Sequence, residues 1–300
     1  MAHRCAIQPR ESHYEIHEAE RTPRGSEMLK IPGRHADEID LHGRHALVTG
    51  ASGGIGTAIV RALVDRGAHV VATGRRADAL DELARATGAE PVCCDLADRD
   101  QLLRLLERVP EMDVVISNAG IPASGKLEGL TFDQIDRALD VNLRAPLLLA
   151  RAASIAMRER RRGHVVIMSS ISGKLFGGSQ AVYCATKAGL RAATIAMRED
   201  LHGTGITVSV ILPGPVSDAG MWADAELPLP PGVGTSTPEE VAAAVLRAMA
   251  EDRLEIDVCT PKLRAMATLA LVRPNWVAAK GKPGSAEFGE MMTKAHSVKW

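Results

Sequence analysis

The chain has 300 residues, of which 46% are hydrophobic and only 3% are aromatic. This length allows one large domain or two small ones, and aliphatic residues with glycine must supply the core, as is typical of α/β proteins. The formal net charge of −1 provides no field that would attract nucleic acid or an anionic membrane surface, so we expect no nucleic-acid partner.

The cysteines and the two chain ends indicate the compartment. Five cysteines, an odd number without a CxxC pair, predict neither a disulfide framework nor a metal site, which fits a reducing environment. The N-terminus lacks the apolar core of a signal peptide, and residues 263–279 are interrupted by arginine and proline. We therefore expect a cytoplasmic protein without a transmembrane segment.

Three segments differ in their residue pattern. Residues 1–40 carry scattered His, Arg and Glu without a period, which predicts a flexible N-terminal extension, and Met28 is a possible native start within it. Residues 41–260 show a regular alternation of elements and form the predicted catalytic domain. Residues 261–300 form a C-terminal tail, for which we consider a substrate-covering role and a subunit contact.

Within the catalytic domain, short apolar runs alternate with helix-length amphipathic segments. The runs lie at 45–49, 69–73, 91–94, 113–117, 164–168 and 207–212, with a weaker one at 254–258. Continuous apolar strands separated by helices indicate a parallel sheet covered on both faces, and right-handed crossovers wind it doubly. We predict a single α/β domain of the Rossmann type with a seven-stranded parallel sheet. Thr237 and Pro238 mark the start of a late helix.

A glycine-rich run, residues 49–56, directly follows the first strand and opens a helix over residues 55–65. Glycines allow the backbone to approach a pyrophosphate, and a helix N-terminus offers it free N–H groups. Because the run lies at the first strand–helix junction, it predicts a dinucleotide site. The predicted contacts are Gly50, Ser52, Gly54, Ile55 and Gly56.

The end of the second strand indicates which dinucleotide binds. An acidic residue at this position would bind the ribose hydroxyls of NAD, but the chain continues instead with Gly74, Arg75 and Arg76. A guanidinium suits a 2′-phosphate because its planar fork binds phosphate at two points. We predict NADP rather than NAD, with Arg75 on the phosphate; the alternative is that both arginines are solvated charges before a helix.

The third and fourth strands end in further candidate cofactor residues. Asp95, followed by Leu96, is placed to accept from the adenine amino group or to cap the next helix, and the two interpretations are compatible. At the end of the fourth strand, Asn118 and Gly120 lie in a run of small residues that lets the chain pass close to the cofactor.

Tyr183 and Lys187 lie four residues apart and would share one face of a helix. A phenol has a pKa near about 10, and a neighbouring cation favours its ionised form. Ser170, thirteen residues before Tyr183 and just past the fifth strand, can donate a hydrogen bond to a substrate oxygen. The three residues therefore predict proton exchange with a carbonyl or alcohol.

These motifs together resemble the short-chain dehydrogenase/reductase family. The resemblance runs from about residue 43 to residue 258 and rests on motifs in the family's order and spacing. They are the glycine motif 49–56, the Asn-Ala-Gly motif ending at Gly120, Asn142, the set Ser170, Tyr183 and Lys187, and the turn Pro213-Gly214. It implies that Pro213, Gly214 and Val216 also bind the cofactor.

The resemblance also implies a role for each catalytic residue. Tyr183 gives or takes the proton while hydride passes between NADP and the substrate carbon, and Ser170 polarises the carbonyl. Lys187 lowers the phenol pKa and holds the nicotinamide ribose. Asn142 positions a water that links Lys187 to solvent; the alternative is that Asn142 only helps to break a helix. One position departs from the family pattern, because Asp218 replaces a threonine that binds the carboxamide, which leaves Ser217 or a backbone N–H for that contact.

Residues 215–235 should cover the substrate, and their apolar content favours an apolar ketone or alcohol; a loop packed on the protein is the alternative. The resemblance implies a homodimer or homotetramer paired through helices over residues 142–161 and 183–202. A catalytically silent NADP-binding sensor or scaffold, and a dehydratase or epimerase, are the other functions considered. An intact set of Ser170, Tyr183 and Lys187 argues against a silent protein.

Overall fold

A computed structural model describes residues 40–218, 221, 233–279 and 285–296. The predicted N-terminal extension, residues 1–40, lies outside the described residues except for Asp40. Most of the predicted substrate loop, residues 215–235, lies outside them as well, and so do the final residues of the C-terminal tail.

The described catalytic domain contains the predicted sheet. Its strands are β1 His45–Thr49, β2 His69–Gly74, β3 Glu90–Cys93, β4 Val114–Ser117, β5 Gly163–Met168, β6 Ile206–Pro213 and β7 Glu255–Val258. They pair in the order β3-β2-β1-β4-β5-β6-β7, and every pairing is parallel. The prediction of a doubly wound, seven-stranded parallel sheet is confirmed.

Helices follow the strands along the described chain. They are α1 Gly54–Val64, α2 Ala77–Thr87, α3 Arg99–Leu106, α4 Phe132–Leu139, α5 Ala145–Arg160, α6 Ala181–Asp200, α7 Pro238–Ala250, α8 Pro261–Val272, α9 Pro274–Ala279 and α10 Ser285–His296. A π-helical turn, Asp140–Arg144, joins α4 to α5. The predicted start of α7 is confirmed, since Thr237 caps it and Glu240 completes a capping box.

Two hydrophobic cores lie on opposite faces of the sheet. Successive residues of a strand point to opposite faces, so Val48 joins one core with Ile59 while Leu47 joins the other with Leu149. Burial on both faces explains why the strands are continuous apolar runs without polar alternation. Among the described residues, no helix is long and apolar enough to cross a membrane.

The order of the strands determines where a ligand can bind. The chain moves outward from β1 to β3 on one side and from β4 to β7 on the other, so β1 and β4 are neighbours at the reversal point. In open parallel sheets, ligands bind in the crevice outside the carboxyl ends of the strands at this point. The predicted cofactor and catalytic residues follow the carboxyl ends of β1 to β6.

Candidate active site

The glycine-rich turn after β1 is packed too tightly to hold side chains at two positions. Gly50 has a φ of +65°, and a Cβ there would lie 2.8 Å from the Cα of Ala119. A Cβ at Gly56 would overlap the carbonyl oxygen of Gly50 and lie 2.7 Å from the Cα of Ala51. The first turn of α1 therefore packs directly on the end of β1.

Replacing Gly56 with Ala should disrupt this turn. The new methyl group must displace the backbone at Gly50, so we expect dinucleotide affinity to fall by roughly a hundredfold and the melting temperature to drop. Gly53→Ala is the matched control for the fold, because a Cβ at Gly53 lies 3.5 Å from the same oxygen, an ordinary contact. Dinucleotide titration and thermal unfolding measure both effects. Equal melting temperatures for the two variants would contradict the packing argument.

The N-terminus of α1 has free capacity for an anion. Its N-cap, Gly53, offers no side-chain acceptor, and the first turn holds no acidic residue. By contrast, Asp98, Thr131 and Thr237 cap α3, α4 and α7 with side-chain oxygens. The first-turn N–H groups of α1 thus have no side-chain cap, which fits a pyrophosphate at this helix end.

Asn118 ties the ends of β1 and β4 together. Its amide Nδ2 donates to the carbonyl oxygens of Thr49, at 3.0 Å, and Gly50, at 3.3 Å. The Thr49 hydroxyl in turn accepts from the backbone N–H groups of Asn118 and Ala119, both at 3.0 Å. The predicted contribution of Asn118 is therefore accompanied by a structural one, because its side chain holds the glycine-rich turn in place.

The two arginines after β2 have different surroundings. Arg76 donates from Nη2 to the carbonyl oxygen of Ser52 at 2.5 Å, which joins the end of β2 to the glycine-rich turn. Gly74 permits this approach, since a Cβ there would lie 2.9 Å from the Ser52 hydroxyl. Arg75 is exposed beside the same crevice. Both arginines are exposed, but Arg76 is engaged with the Ser52 carbonyl, which leaves Arg75 as the better candidate for the predicted 2′-phosphate contact.

The capping interpretation of Asp95 is wrong. The N-cap of α3 is Asp98, whose carboxylate accepts the N–H groups of Asp100 and Gln101. Asp95 instead accepts from the Ala97 N–H and from Arg137, whose Nη2 lies 2.8 Å from Oδ2. Burial would raise the pKa of the Asp95 carboxyl, but the hydrogen bonds from Arg137 and Ala97 bring it below its usual value.

Asn142 lies in the π-helical turn and is fully buried. Its side chain makes two hydrogen bonds to the backbone of Ile121: Oδ1 accepts from the N–H at 2.7 Å and Nδ2 donates to the carbonyl at 2.8 Å. Asn142 therefore ties the π-helical turn between α4 and α5 to the segment after β4. Asn142 thus has the structural role of breaking the helix, while water positioning by Asn142 stays a prediction.

Ser170, Tyr183 and Lys187 meet at the carboxyl end of β5, as predicted. Ser170 lies near enough to the Tyr183 hydroxyl to influence its pKa, and the Ser170 Oγ lies 3.5 Å from the carbonyl oxygen of Pro213 at the end of β6. The Lys187 ammonium lies 5.7 Å from the centre of the Tyr183 ring. Serine, phenol and ammonium thus share one small volume, while Ser169 faces away and donates to the Lys187 carbonyl oxygen at 2.7 Å.

Burial dominates the electrostatics of this volume. It raises the pKa of the Tyr183 phenol to about 12, against a lowering effect of the Ser170 hydrogen bond. Burial also lowers the pKa of the Lys187 ammonium to about 8. The ammonium donates to the carbonyl oxygen of Met168 at 3.0 Å and does not contact the phenol oxygen in this arrangement. The predicted lowering of the phenol pKa by Lys187 is thus not visible here.

The segment after β6 carries the remaining predicted cofactor residues. Gly214 allows the start of α8 and the residue after β7 to approach, since a Cβ there would lie 3.2 Å from the Leu263 Cδ2 and 2.9 Å from the Cβ of Cys259. Val216 is buried and forms a parallel bridge with Ser236. Both the N–H and the hydroxyl of Ser217 point to the Ser236 carbonyl oxygen, at 2.9 and 3.4 Å. Ser217 was considered as the residue that replaces the family's threonine at the carboxamide. In this arrangement both of its donors are directed at the Ser236 carbonyl oxygen instead.

Comparison with known proteins agrees with this geometry. Residues 44–228 match the family model described as short chain dehydrogenase. A ketoacyl reductase, HetN, of a Nostoc species is 36% identical over 227 residues, which make up 73% of this chain and 79% of that protein. The 3-oxoacyl-[acyl-carrier-protein] reductase FabG of Rickettsia felis is 36% identical over 178 residues, 59% of this chain and 74% of that protein.

A solved structure shares the fold over a greater length. The short-chain dehydrogenase from Sphingobium yanoikuyae, determined in complex with NADPH, superposes with a TM-score of 0.68 at 25% sequence identity. The match covers 80% of this chain and 96% of that structure. The matched region is longer than the one that the family model covers, and the related protein holds NADPH.

Proposed function

Since the chain belongs to the short-chain dehydrogenase/reductase family, we propose that it transfers a hydride between NADP(H) and an apolar carbonyl or alcohol, with Tyr183 exchanging the proton. The observation that carries this proposal is the convergence of Ser170, Tyr183 and Lys187 at the carboxyl end of β5. It lies in the same crevice as the glycine-rich turn, which suits a dinucleotide.

The residues present fit the cofactor. Helix α1 offers uncapped first-turn N–H groups for the pyrophosphate, and the glycine-rich turn allows its close approach. Gly120 leaves space beside Lys187, since a Cβ there would lie 3.4 Å from Nζ. When bound, the reduced cofactor supplies a hydride and the oxidised one accepts it.

Each catalytic side chain has a task that its surroundings support. Tyr183 is protonated at neutral pH because its pKa is raised to about 12, so it can donate its proton to an alkoxide that forms during carbonyl reduction. Ser170 donates a hydrogen bond to the carbonyl oxygen, and Lys187 supplies a positive charge that steadies the phenolate left behind. The protonated phenol is the form that carbonyl reduction requires.

The relatives support one substrate class for the proposal. HetN and the Rickettsia FabG, named above, are both ketoacyl reductases. A 3-ketoacyl thioester has an apolar chain and a polarised ketone, which agrees with the apolar substrate predicted from residues 215–235. We therefore propose that a ketoacyl compound is the first substrate to test.

An assay of cofactor oxidation tests the proposal. NADPH and NADH are each offered with ketosteroids, 3-ketoacyl thioesters and small aldehydes, and absorbance reports the loss of reduced cofactor. We expect turnover with NADPH and an apolar ketone, with stoichiometric formation of alcohol. Firm NADPH binding without turnover on any substrate would instead favour the silent sensor or scaffold.

Arg75→Ala should weaken NADPH binding more than NADH binding. The loss of charge-assisted hydrogen bonds to the 2′-phosphate is expected to raise the Kd for NADPH by roughly ten- to a hundredfold and to leave NADH within about twofold. Arg76→Ala is the comparison, because Arg76 holds the Ser52 carbonyl and should affect both cofactors alike. Fluorescence titration measures the four constants. Equal losses for Arg75→Ala would contradict the phosphate role.

We also propose a cytoplasmic homodimer or homotetramer. Helix α5, one of the two helices predicted to pair, exposes 52% of Ile155 on its outer face. The proposal rests on the family resemblance, and Ile155 is the exposed apolar position on this helix at which it can be tested. Light scattering of Ile155→Glu against the unmodified chain tests this assignment.

A further inference from the structure

His296 is a buried titratable residue that the proposed chemistry does not use. It is the last described residue of α10 and is only 2% exposed. Its Nδ1 lies 2.8 Å from the hydroxyl of Ser124, in the segment after β4. Its Nε2 lies 3.0 Å from the carbonyl oxygen of Met221, in the segment after β6. One imidazole thus joins α10 to both segments.

The chemistry of these partners determines where the proton sits. A carbonyl oxygen can only accept, so Nε2 carries hydrogen and donates to Met221. In the neutral ring, Nδ1 accepts from the Ser124 hydroxyl. In the cation, Nδ1 donates to Ser124, whose hydroxyl can then turn to the carbonyl oxygen of Pro122 at 3.4 Å. The bond to Met221 therefore persists in both protonation states.

Met221 extends from this contact into the active site. A Cβ built on Gly120 would lie 3.5 Å from the Met221 Cε and 3.4 Å from both the Lys187 Nζ and the Asn142 Oδ1. The methyl group of the thioether and the catalytic ammonium thus both border Gly120. A thioether is flexible and apolar, which suits the boundary of a site for apolar ketones.

The rest of α10 packs along the loops that lead to the same site. A Cβ at Gly289 would lie 2.6 Å from the hydroxyl of Ser179, in the loop that precedes the Tyr183 helix. Glu290 pairs with Lys126 at 3.5 Å, in the loop that carries Ser124. The helix is therefore seated between the two loops, and its last residue reaches Met221.

We propose that His296 is a positioning residue that holds Met221 at the carbonyl site, so that α10 forms one wall of the substrate site and limits which acyl chains fit. This inference rests on the proposed function. Removal of the imidazole frees the Met221 backbone from α10 and leaves the carbonyl without its donor. Substrate affinity and selectivity change, while the proton-transfer residues remain in place.

The test compares His296→Ala and His296→Gln with the unmodified chain, using NADPH and ketoacyl thioesters of short and long acyl chains. We expect His296→Ala to raise KM by about tenfold and to alter the preference between chain lengths, with kcat and the Kd for NADPH within about threefold. A glutamine amide can donate to Met221 and accept from Ser124, so His296→Gln should restore most of the selectivity. Met291→Ala, an exposed change in the same helix, is the matched control.

Hydrogen exchange gives a second readout that needs no turnover. We expect faster exchange of the backbone near Ser124 and Met221 in His296→Ala but not in His296→Gln. Unchanged KM, selectivity and exchange in His296→Ala would overturn the inference, as would an equal loss of kcat for every substrate without rescue by Gln. If the unmodified chain turns over no ketone, the proposed function fails, and the exchange experiment still decides whether His296 holds Met221.

Discussion

Replacement of Tyr183 by Phe is expected to lower kcat/KM for carbonyl reduction by about a thousandfold or more while the Kd for NADPH stays within about twofold. The change removes one oxygen from a residue whose hydroxyl contacts Ser170 and whose ring stays in the same place. No other phenol exists in the described residues, because the second tyrosine of the chain, Tyr14, lies outside them. Steady-state kinetics with a ketoacyl thioester and fluorescence titration of NADPH measure the two quantities.

Cys184→Ala is the matched control for this variant. Cys184 follows Tyr183 on the same helix and is buried, so its replacement tests whether any small change in α6 lowers activity. We expect its kcat/KM to stay within about threefold of the unmodified chain, since it removes one buried sulfur that no proposed step uses. Substantial turnover in Tyr183→Phe would remove Tyr183 from the proton-transfer role.

The sheet could be predicted from sequence because its strands are buried on both faces. Each predicted run contains residues such as Leu47 and Val48 that fill opposite cores, so the apolar pattern survives without tertiary information. The edge strand β3 is the weakest case, since none of its four residues is fully buried and the apolar pattern is correspondingly thin there. An edge strand tolerates proline because the missing N–H need not pair.

Cofactor and catalytic residues were predictable where a short motif carries the chemistry. Contacts between distant residues were not, because no local pattern reveals that Asp95 meets Arg137 or that His296 meets Ser124. The incorrect assignment of Asp95 as the N-cap of α3 has another cause, because the local sequence did carry the correct signal. Asp98 precedes Gln101 by three residues, which is the spacing of a capping box, and Asp95 lies one turn too early.

Asn142 was predicted either to position a water or to help break a helix, and the sequence alone could not decide between these roles. The sequence shows a residue type and a family position, whereas the π-helical turn and the paired bonds to Ile121 depend on three-dimensional packing. An amide whose two polar atoms are used by the backbone holds the turn in place. The amide keeps a second lone pair and a second N–H beyond these two bonds, so the structural role and water positioning are compatible.

Lys187→Met should abolish activity and stabilise the fold at the same time. Lys187 is only 2% exposed, and burial lowers its pKa from 10.5 to about 8. A shift of this size corresponds to about 3 kcal/mol of destabilisation of the charged form. Met fills a similar volume without charge, although the Met168 carbonyl then loses its donor, so we expect a net gain on the order of 1–2 kcal/mol near neutral pH.

The free energies of unfolding of the unmodified chain and of Lys187→Met should depend differently on pH. Below pH 8 the lysine is protonated in the folded and unfolded states, and its burial cost is fully present. As pH rises above about 8, the folded state releases the proton while the unfolded state keeps it until about 10.5, so the unmodified chain gains stability. Lys187→Met lacks this gain, and its advantage should shrink between pH 8 and pH 10. Tyr183 acts with the opposite sign only above about pH 10, where its raised folded pKa makes stability fall.

Denaturant unfolding of the cofactor-free proteins at about pH 7 and about pH 9.5 separates these contributions. Tyr183→Phe is the control, because it keeps Lys187 and should show the same rise in stability as the unmodified chain over this interval. A Lys187→Met protein that is less stable than the unmodified chain at pH 7 would show that the ammonium contributes more through its bond to Met168 than its burial costs. The proposed chemistry requires the Lys187 charge, so a buried ammonium that lowers the free energy of unfolding is kept. Catalytic sites commonly reduce stability in this way.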